Sequence, residues 1–231
     1  MTRLAYLAHL YTASGVVCGL LAILAATRHD FRLSLLWMVV ATIVDATDGA
    51  FARFVRVDKY ARLIDGARLD DIVDYLTYVV VPAFLLLQAG CLPAGVVGLL
   101  VAAAMLLSSA LGFSRADAKT ADYYFTGFPS YWNIVALYAL VLRLSPTVNA
   151  VILTVLSALV FVPIRYVYPT RTPTLLPVTT VLSAVWSVQV ALLIWWLEAV
   201  PAWLFWSSLF FPVYYLALSF WLNARRSHPA A

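Results

Sequence analysis

Long apolar runs, broken only at charges and turn residues, leave this chain few ways to fold. Of its 231 residues 64% are hydrophobic and 11% charged, and its mean hydropathy of +0.92 is that of a polytopic membrane protein. Cutting the sequence at its charges and turn residues predicts eight spans, at about 4–27, 33–54, 67–88, 93–114, 129–144, 147–168, 175–197 and 201–223. The fifth is short and is expected to tilt or to lean on its neighbours. Lipid satisfies no backbone hydrogen bond, so spans of this kind fold as helices and the expected class is all-α. The longest polar stretches are the connector 54–66 and the loop 115–128. Neither has the length of a soluble domain, so residues 1–231 read as one membrane-embedded unit. There is no internal repeat and no low-complexity segment.

Cys18 falls in the first span and Cys91 in a short loop, which suggests packing rather than a disulfide framework. Arg3, the apolar stretch after it and Ala25-Ala26 loosely resemble a signal peptide. The run from Leu4 to Thr27 is longer than such a segment needs, so a retained first helix is expected. Eight spans put both termini on one side, and that side collects twelve of the fifteen Lys and Arg residues. Arg28, Arg32 and Arg143 make up the other side. The bias places both termini, the connector and the loop at 115–128 in the cytoplasm. The formal net charge of +4 suits contact with anionic head groups. Nothing in the pattern suggests a nucleic-acid partner.

Against this apolar background seven of the eleven acidic residues lie between positions 45 and 74. Carboxylates at membrane depth are costly and persist where they bind a cation or do chemistry. Asp45 and Asp48 stand three apart, Asp70 and Asp74 four apart, so on helices each pair shares one face. Two such faces meeting would gather four carboxylates, a set suited to one or two hard divalent cations. Gly49 and Gly66 leave room for a ligand to approach the backbone. Arg53 can offer a planar fork of donors to a phosphate. A buried structural ion network or a proton relay would need fewer acids and no paired glycines, so the pattern points to phosphoryl or phosphatidyl chemistry.

The run Asp45-x-x-Asp48-Gly49-x-x-Ala52-Arg53, then twelve residues, then Gly66-x-x-x-Asp70-x-x-x-Asp74 resembles the signature of the CDP-alcohol phosphotransferases, integral-membrane enzymes of phospholipid synthesis. The usual family gap is eight residues, and Arg62 stands where the second glycine would then fall. The longer gap resembles the bacterial phosphatidylcholine synthase branch. So do Leu10-Tyr11-Thr12-Ala13-Ser14-Gly15, Tyr75-Leu76-Thr77-Tyr78 with Pro82-Ala83-Phe84, Lys119-Thr120, Tyr124-Phe125-Thr126-Gly127-Phe128-Pro129 with Trp132-Asn133, Pro163-Ile164 and Trp186. Asp71 departs from the asparagine expected there, and Arg165 and Tyr168 from an asparagine and a histidine.

The resemblance implies the phosphotransferase fold and transfer of a phosphatidyl group from CDP-diacylglycerol to choline, with release of CMP. It implies Mn²⁺ or Mg²⁺, as two ions held by Asp45, Asp48, Asp70 and Asp74, with Asp74 also the general base. Gly49, Ala52, Arg53 and Gly66 would line the nucleotide site. A bacterial inner-membrane location and a homodimer follow by the same analogy. Choline cannot donate N–H hydrogen bonds and favours aromatic faces and carboxylates. Tyr75, Tyr78, Tyr124, Phe125 and Trp132 are therefore candidate acceptor contacts, and Arg115 and Lys119 candidate phosphate contacts. Aromatic residues also gather at any membrane interface, as Trp195, Trp196, Trp203 and Trp206 are expected to do on the opposite side.

Two other readings stay open: the same chemistry on serine, inositol or glycerol phosphate, and a cation-coupled transporter. Acids confined to one end of two helices argue against the transporter, whose path needs polar groups at midplane and on both sides. His9, His29 and His228 form no metal triad and read as incidental. Asp58 and Asp65 are expected to balance the arginines of the connector, and Glu198 to cap an external loop. A reporter fused to the C-terminus should be active only in the cytoplasm. Activity only on the external side would overturn the orientation and move the acidic site with it.

Overall fold

The computed structural model describes residues 1–227; His228 lies outside them. The regular elements among the described residues are helices but for one two-stranded antiparallel sheet. It divides into two compact units, one of Met1–Leu106 with Tyr131–Ala150, the other of Leu107–Ser130 with the chain from Val151 onward.

In the first unit α1 (Thr2–Thr27) and α2 (Phe31–Phe54) form a helical hairpin. The break between them is local chemistry. His29 takes a left-handed φ of 59°, and the Asp30 carboxylate caps α2 by accepting from the Leu33 N–H at 2.9 Å. The buried face of α1 is mostly small, with Ala5, Ala8, Gly15, Gly19, Ala22 and Ala26, so neighbouring backbones come close. After α2 the chain makes one helical turn, α3 (Val57–Tyr60), and returns as α4 (Gly66–Asp74). Val55 and Ala61 of this connector are buried against Ala5 and Ala8, with Phe51, Val57 and Tyr60 packed around them. Asp65 caps α4, accepting from the N–H groups of Ala67 and Arg68, and pairs with the Arg68 side chain at 3.2 Å.

From α4 the helix runs on through a π-helical segment, Tyr75–Val80, into α5 (Val81–Gln88). Pro82 lies at the start of α5 and has no N–H to give to an α-helical bond. The wider turn before it fits that loss. Gly15 and Gly19 receive this helix: a Cβ on Gly15 would lie 2.6 Å from Val73 Cγ1, and one on Gly19 3.1 Å from Leu76 Cδ2. The unit also holds α6 (Val96–Phe113) in part, α7 (Trp132–Leu142), and the start of α8 (Pro146–Leu159). The Asn149 amide donates to the Cys91 carbonyl at 3.0 Å. Both cysteines are buried and free.

In the second unit β1 (Tyr124–Thr126) pairs with β2 (Arg165–Val167), Tyr124 opposite Val167 and Thr126 opposite Arg165. Gly127 follows with φ +79°, where a Cβ would stand 2.0 Å from the Val160 carbonyl oxygen, so only glycine fits. The helices α9 (Leu176–Trp195), α10 (Ala202–Ser208) and α11 (Phe210–Ser227) complete the unit. Asn223 of α11 substitutes for a neighbouring strand, accepting from Arg165 N at 3.1 Å and donating to Arg165 O at 2.7 Å. Ser219 accepts from Val167 N at 3.1 Å.

The membrane character stands, but the count of eight spans does not. Five helical segments among the described residues have the length and apolarity to cross a bilayer: Thr2–Thr27, Phe31–Phe54, Val96–Phe113, Leu176–Trp195 and Ala202–Arg225. The third expected span, 67–88, exists as α4 through α5 but begins with three aspartates. The fifth and sixth are helices of 11 and 14 residues. At about 1.5 Å per residue neither crosses a hydrocarbon core of about 30 Å upright. The sixth span stops at Leu159 because residues 165–167 pair as a strand instead of continuing the helix.

Gly15→Ala should therefore push the stiff Val73 side chain, at about 1–3 kcal/mol, and disturb the aspartates on either side of it. Thermal unfolding in detergent should show a lower Tm for Gly15→Ala and recovery of most of it in Gly15→Ala/Val73→Ala. An unchanged Tm in the single variant would contradict this packing.

Candidate active site

The first unit brings three of the four motif carboxylates together. Asp45 of α2 and Asp70 and Asp74 of α4 each place a carboxylate oxygen within 4.8 Å of the other two, all half-buried. Asp70 and Asp74 share a face because α4 is a regular helix, and α1 sets where that face sits by admitting Val73 at Gly15. Oxygens sharing one hard divalent ion, at metal–oxygen distances of about 2.0–2.6 Å, stand at such separations. The all-oxygen donor set fits Mg²⁺ or Mn²⁺.

Asp48 stands outside this trio. It is buried, and the Thr12 hydroxyl of α1 donates to its Oδ2 at 2.7 Å. Asp45 is also held from a neighbouring helix, by the Tyr78 hydroxyl donating to Oδ2 at 2.8 Å. Asp71 lies one position off the face shared by Asp70 and Asp74. The exposed Arg53 folds back along α2, its Nη1 3.3 Å from where a Gly49 Cβ would be. Ala52 is half-buried beside it, and Gly66 is exposed at the start of α4. Tyr75 donates to the Leu106 carbonyl at 3.0 Å, and Trp132 is 0% exposed in the core of this unit.

Four residues had no structural role assigned in the sequence reading. His9 does not read as incidental: it is buried, its Nε2 is 3.3 Å from the Ala61 carbonyl, and its ring lies under Gly66. It thus ties α1 to the middle of the connector and to its junction with α4. Thr12 sits in the recognised opening motif, but nothing in sequence shows that its partner is Asp48. Gly15 and Gly19 carried a readable signal in their four-residue spacing, the pattern of close helix contact in membranes.

The second unit holds the remaining candidates. Arg115 grips Asp117 with two hydrogen bonds of 2.8 Å, Nε to Oδ1 and Nη2 to Oδ2. These bonds hold the Asp117 carboxyl below the usual carboxylate range. Exposed Lys119 bridges to Phe125 across a turn closed by Thr120 and Tyr124. Tyr124 is buried with Val167 and Leu218. The Phe125 ring packs 4.6 Å from that of Tyr168, and the Arg171 guanidinium lies over Tyr168 at 5.5 Å. Arg165 donates to Asp122 at 3.2 Å.

Apolar helices of membrane length, with three clustered carboxylates at the meeting of two helices, define a polytopic membrane protein built around a candidate cation site. No protein-family model matches the chain. Similarity to known proteins is nonetheless extensive. A phosphatidylcholine synthase of Legionella pneumophila is 43% identical over 168 residues, which are 72% of this chain and 66% of that protein. One of Legionella bozemanae is 45% identical over 154 residues, 66% of this chain and 70% of that protein. One of Pseudomonas aeruginosa is 39% identical over 186 residues, 80% and 78% respectively. The match thus spans about two thirds to four fifths of these relatives. The chain belongs to the phosphatidylcholine synthase family.

Asp45→Asn and Asp70→Asn should each lower turnover below about a hundredth of wild type, beyond the 10–100-fold typical of losing an outer-shell partner. Membrane insertion and Tm should stay near wild type. Near-normal turnover in either purified variant would refute the ligand assignment.

Proposed function

We propose that the chain is a CDP-diacylglycerol–choline O-phosphatidyltransferase of the CDP-alcohol phosphotransferase family, acting at the cytoplasmic face of a bacterial inner membrane, as a homodimer. The observation that carries this reading is the convergence of Asp45, Asp70 and Asp74 from two helices. Membership of the phosphatidylcholine synthase family supports the choice of acceptor.

In this reading Asp45, Asp70 and Asp74 hold divalent metal, Mn²⁺ or Mg²⁺, and Asp48 completes the acidic face one helical turn beyond Asp45. Metal bound there supplies neutralisation of the charge that builds on the diphosphate as CMP leaves. The chain's own residues do the rest. Arg53 offers its planar fork to a phosphate, and Gly49 and Gly66 keep the backbone bare where the nucleotide approaches. Asp74 takes the proton from the choline hydroxyl as its oxygen attacks the phosphorus on the diacylglycerol side. The new P–O bond makes phosphatidylcholine, and the bond to the CMP oxygen breaks. Proton removal accompanies attack because a choline hydroxyl is far too weak an acid to ionise at neutral pH. The acids lie near the polar ends of helices that are otherwise largely apolar, which suits a lipid whose reacting phosphate meets water while its tails stay in hydrocarbon.

The direct experiment is CMP release from CDP-diacylglycerol by purified protein, with and without EDTA, and with choline, serine, inositol or glycerol phosphate offered together. Metal-dependent release with choline consumed preferentially is the expected result. Release with another acceptor preferred would keep the chemistry and overturn the specificity.

Asp74→Asn should keep CDP-diacylglycerol binding while choline transfer falls by about 10²-fold or more, the usual scale for a lost general base. Binding and transfer measured on one preparation decide it. Joint loss would make Asp74 chiefly a ligand, and normal transfer would refute the mechanism.

A further inference from the structure

The acidic cluster is not held by its own helices alone. The two carboxylates of α2 are each engaged by a hydroxyl from a different neighbour, Asp48 by Thr12 of α1 and Asp45 by Tyr78 of the π-helical segment. Tyr78 is positioned for this by chain geometry. It lies four residues beyond Asp74 and eight beyond Asp70, and its hydroxyl reaches across to Asp45. It sits inside the π-helical segment, and Pro82 follows in the first turn of α5. The hydrogen bond is short, 2.8 Å, and half-buried, so it restricts the rotation of a carboxylate that reaches for two others within 4.8 Å. Tyr78 looked, on composition, like one more aromatic face for the acceptor. Its hydroxyl is instead committed to Asp45.

We propose that Tyr78 is a positioning residue for the metal site, its hydroxyl fixing the orientation of the Asp45 carboxylate so that the cluster is organised before the cation arrives. This rests on the reading of Asp45, Asp70 and Asp74 as metal ligands. Two consequences follow. Removing the hydroxyl weakens metal binding in the absence of any lipid or choline. Removing it also leaves the reacting groups in place, so added metal restores turnover.

The test is Mn²⁺ binding to purified, substrate-free protein in detergent, followed by electron paramagnetic resonance, on wild type, Tyr78→Phe and Tyr11→Phe. Tyr11→Phe is the control, since it deletes another interhelical hydroxyl contact, 2.7 Å to Thr47, that touches no carboxylate. Tyr78→Phe keeps the ring and its packing. Its Mn²⁺ affinity should fall about 10- to 100-fold, the range for loss of an outer-shell partner, with Tyr11→Phe near wild type. The Mn²⁺ concentration for half-maximal CMP release should rise by the same factor, while kcat at saturating Mn²⁺ stays within about threefold of wild type. Unchanged Mn²⁺ affinity in Tyr78→Phe would overturn the proposal. A loss of kcat that excess Mn²⁺ does not restore would also overturn it, since that marks a structural or directly catalytic role. Wild type that binds no Mn²⁺ would remove the metal reading itself and this proposal with it.

Discussion

Three carboxylates held within 4.8 Å of one another repel strongly, by roughly 3 kcal/mol per charged pair at an effective dielectric constant of about 20. A helical membrane protein does not carry that strain for packing, because leucine would pack better and cost nothing in desolvation. A cation would offset that repulsion, and the three carboxylates stand where they could hold one; much of the first unit positions them. The small face of α1 lets α4 approach through Val73. The buried connector around Val55 and Ala61 fixes where α4 begins. Hydroxyls from Thr12 and Tyr78 restrain the two carboxylates of α2.

The same constraint accounts for the site's place along the helices. Asp45 and Asp48 occupy the last three turns of α2, and Asp70 and Asp74 lie in α4, the polar start of a helix that turns apolar beyond them. Charge is thereby kept out of the middle of the apolar runs. His9 belongs to the same design. By reaching the Ala61 carbonyl and lying under Gly66, it couples the opening helix to the loop that carries the second half of the motif.

Much of this was legible in the sequence because it depends on local periodicity. The three- and four-residue spacings of the aspartates put each pair on a helix face, and α2 and α4 are helices at those positions. What was not legible depends on contacts between distant residues. Nothing local marks Tyr124–Thr126 and Arg165–Val167 as strands, since each has only three residues and the pairing is secured by Asn223, 58 positions from Arg165. Apolar composition extended the sixth span to 168, but hydropathy cannot see a strand edge waiting for a partner. The Thr12–Asp48 bond joins residues 36 apart, beyond any periodicity. The departure of Tyr78 from a simple interfacial aromatic is of the same kind.

The central claim is that Asp45, Asp70 and Asp74 hold a divalent cation between α2 and α4. Anomalous X-ray scattering from crystals of the protein soaked in Mn²⁺ tests it most directly. A peak at about 2.0–2.6 Å from oxygens of all three carboxylates, removed by EDTA, is the predicted result. A Mn²⁺-saturated crystal with no peak there, or with peaks only at other residues, would contradict it.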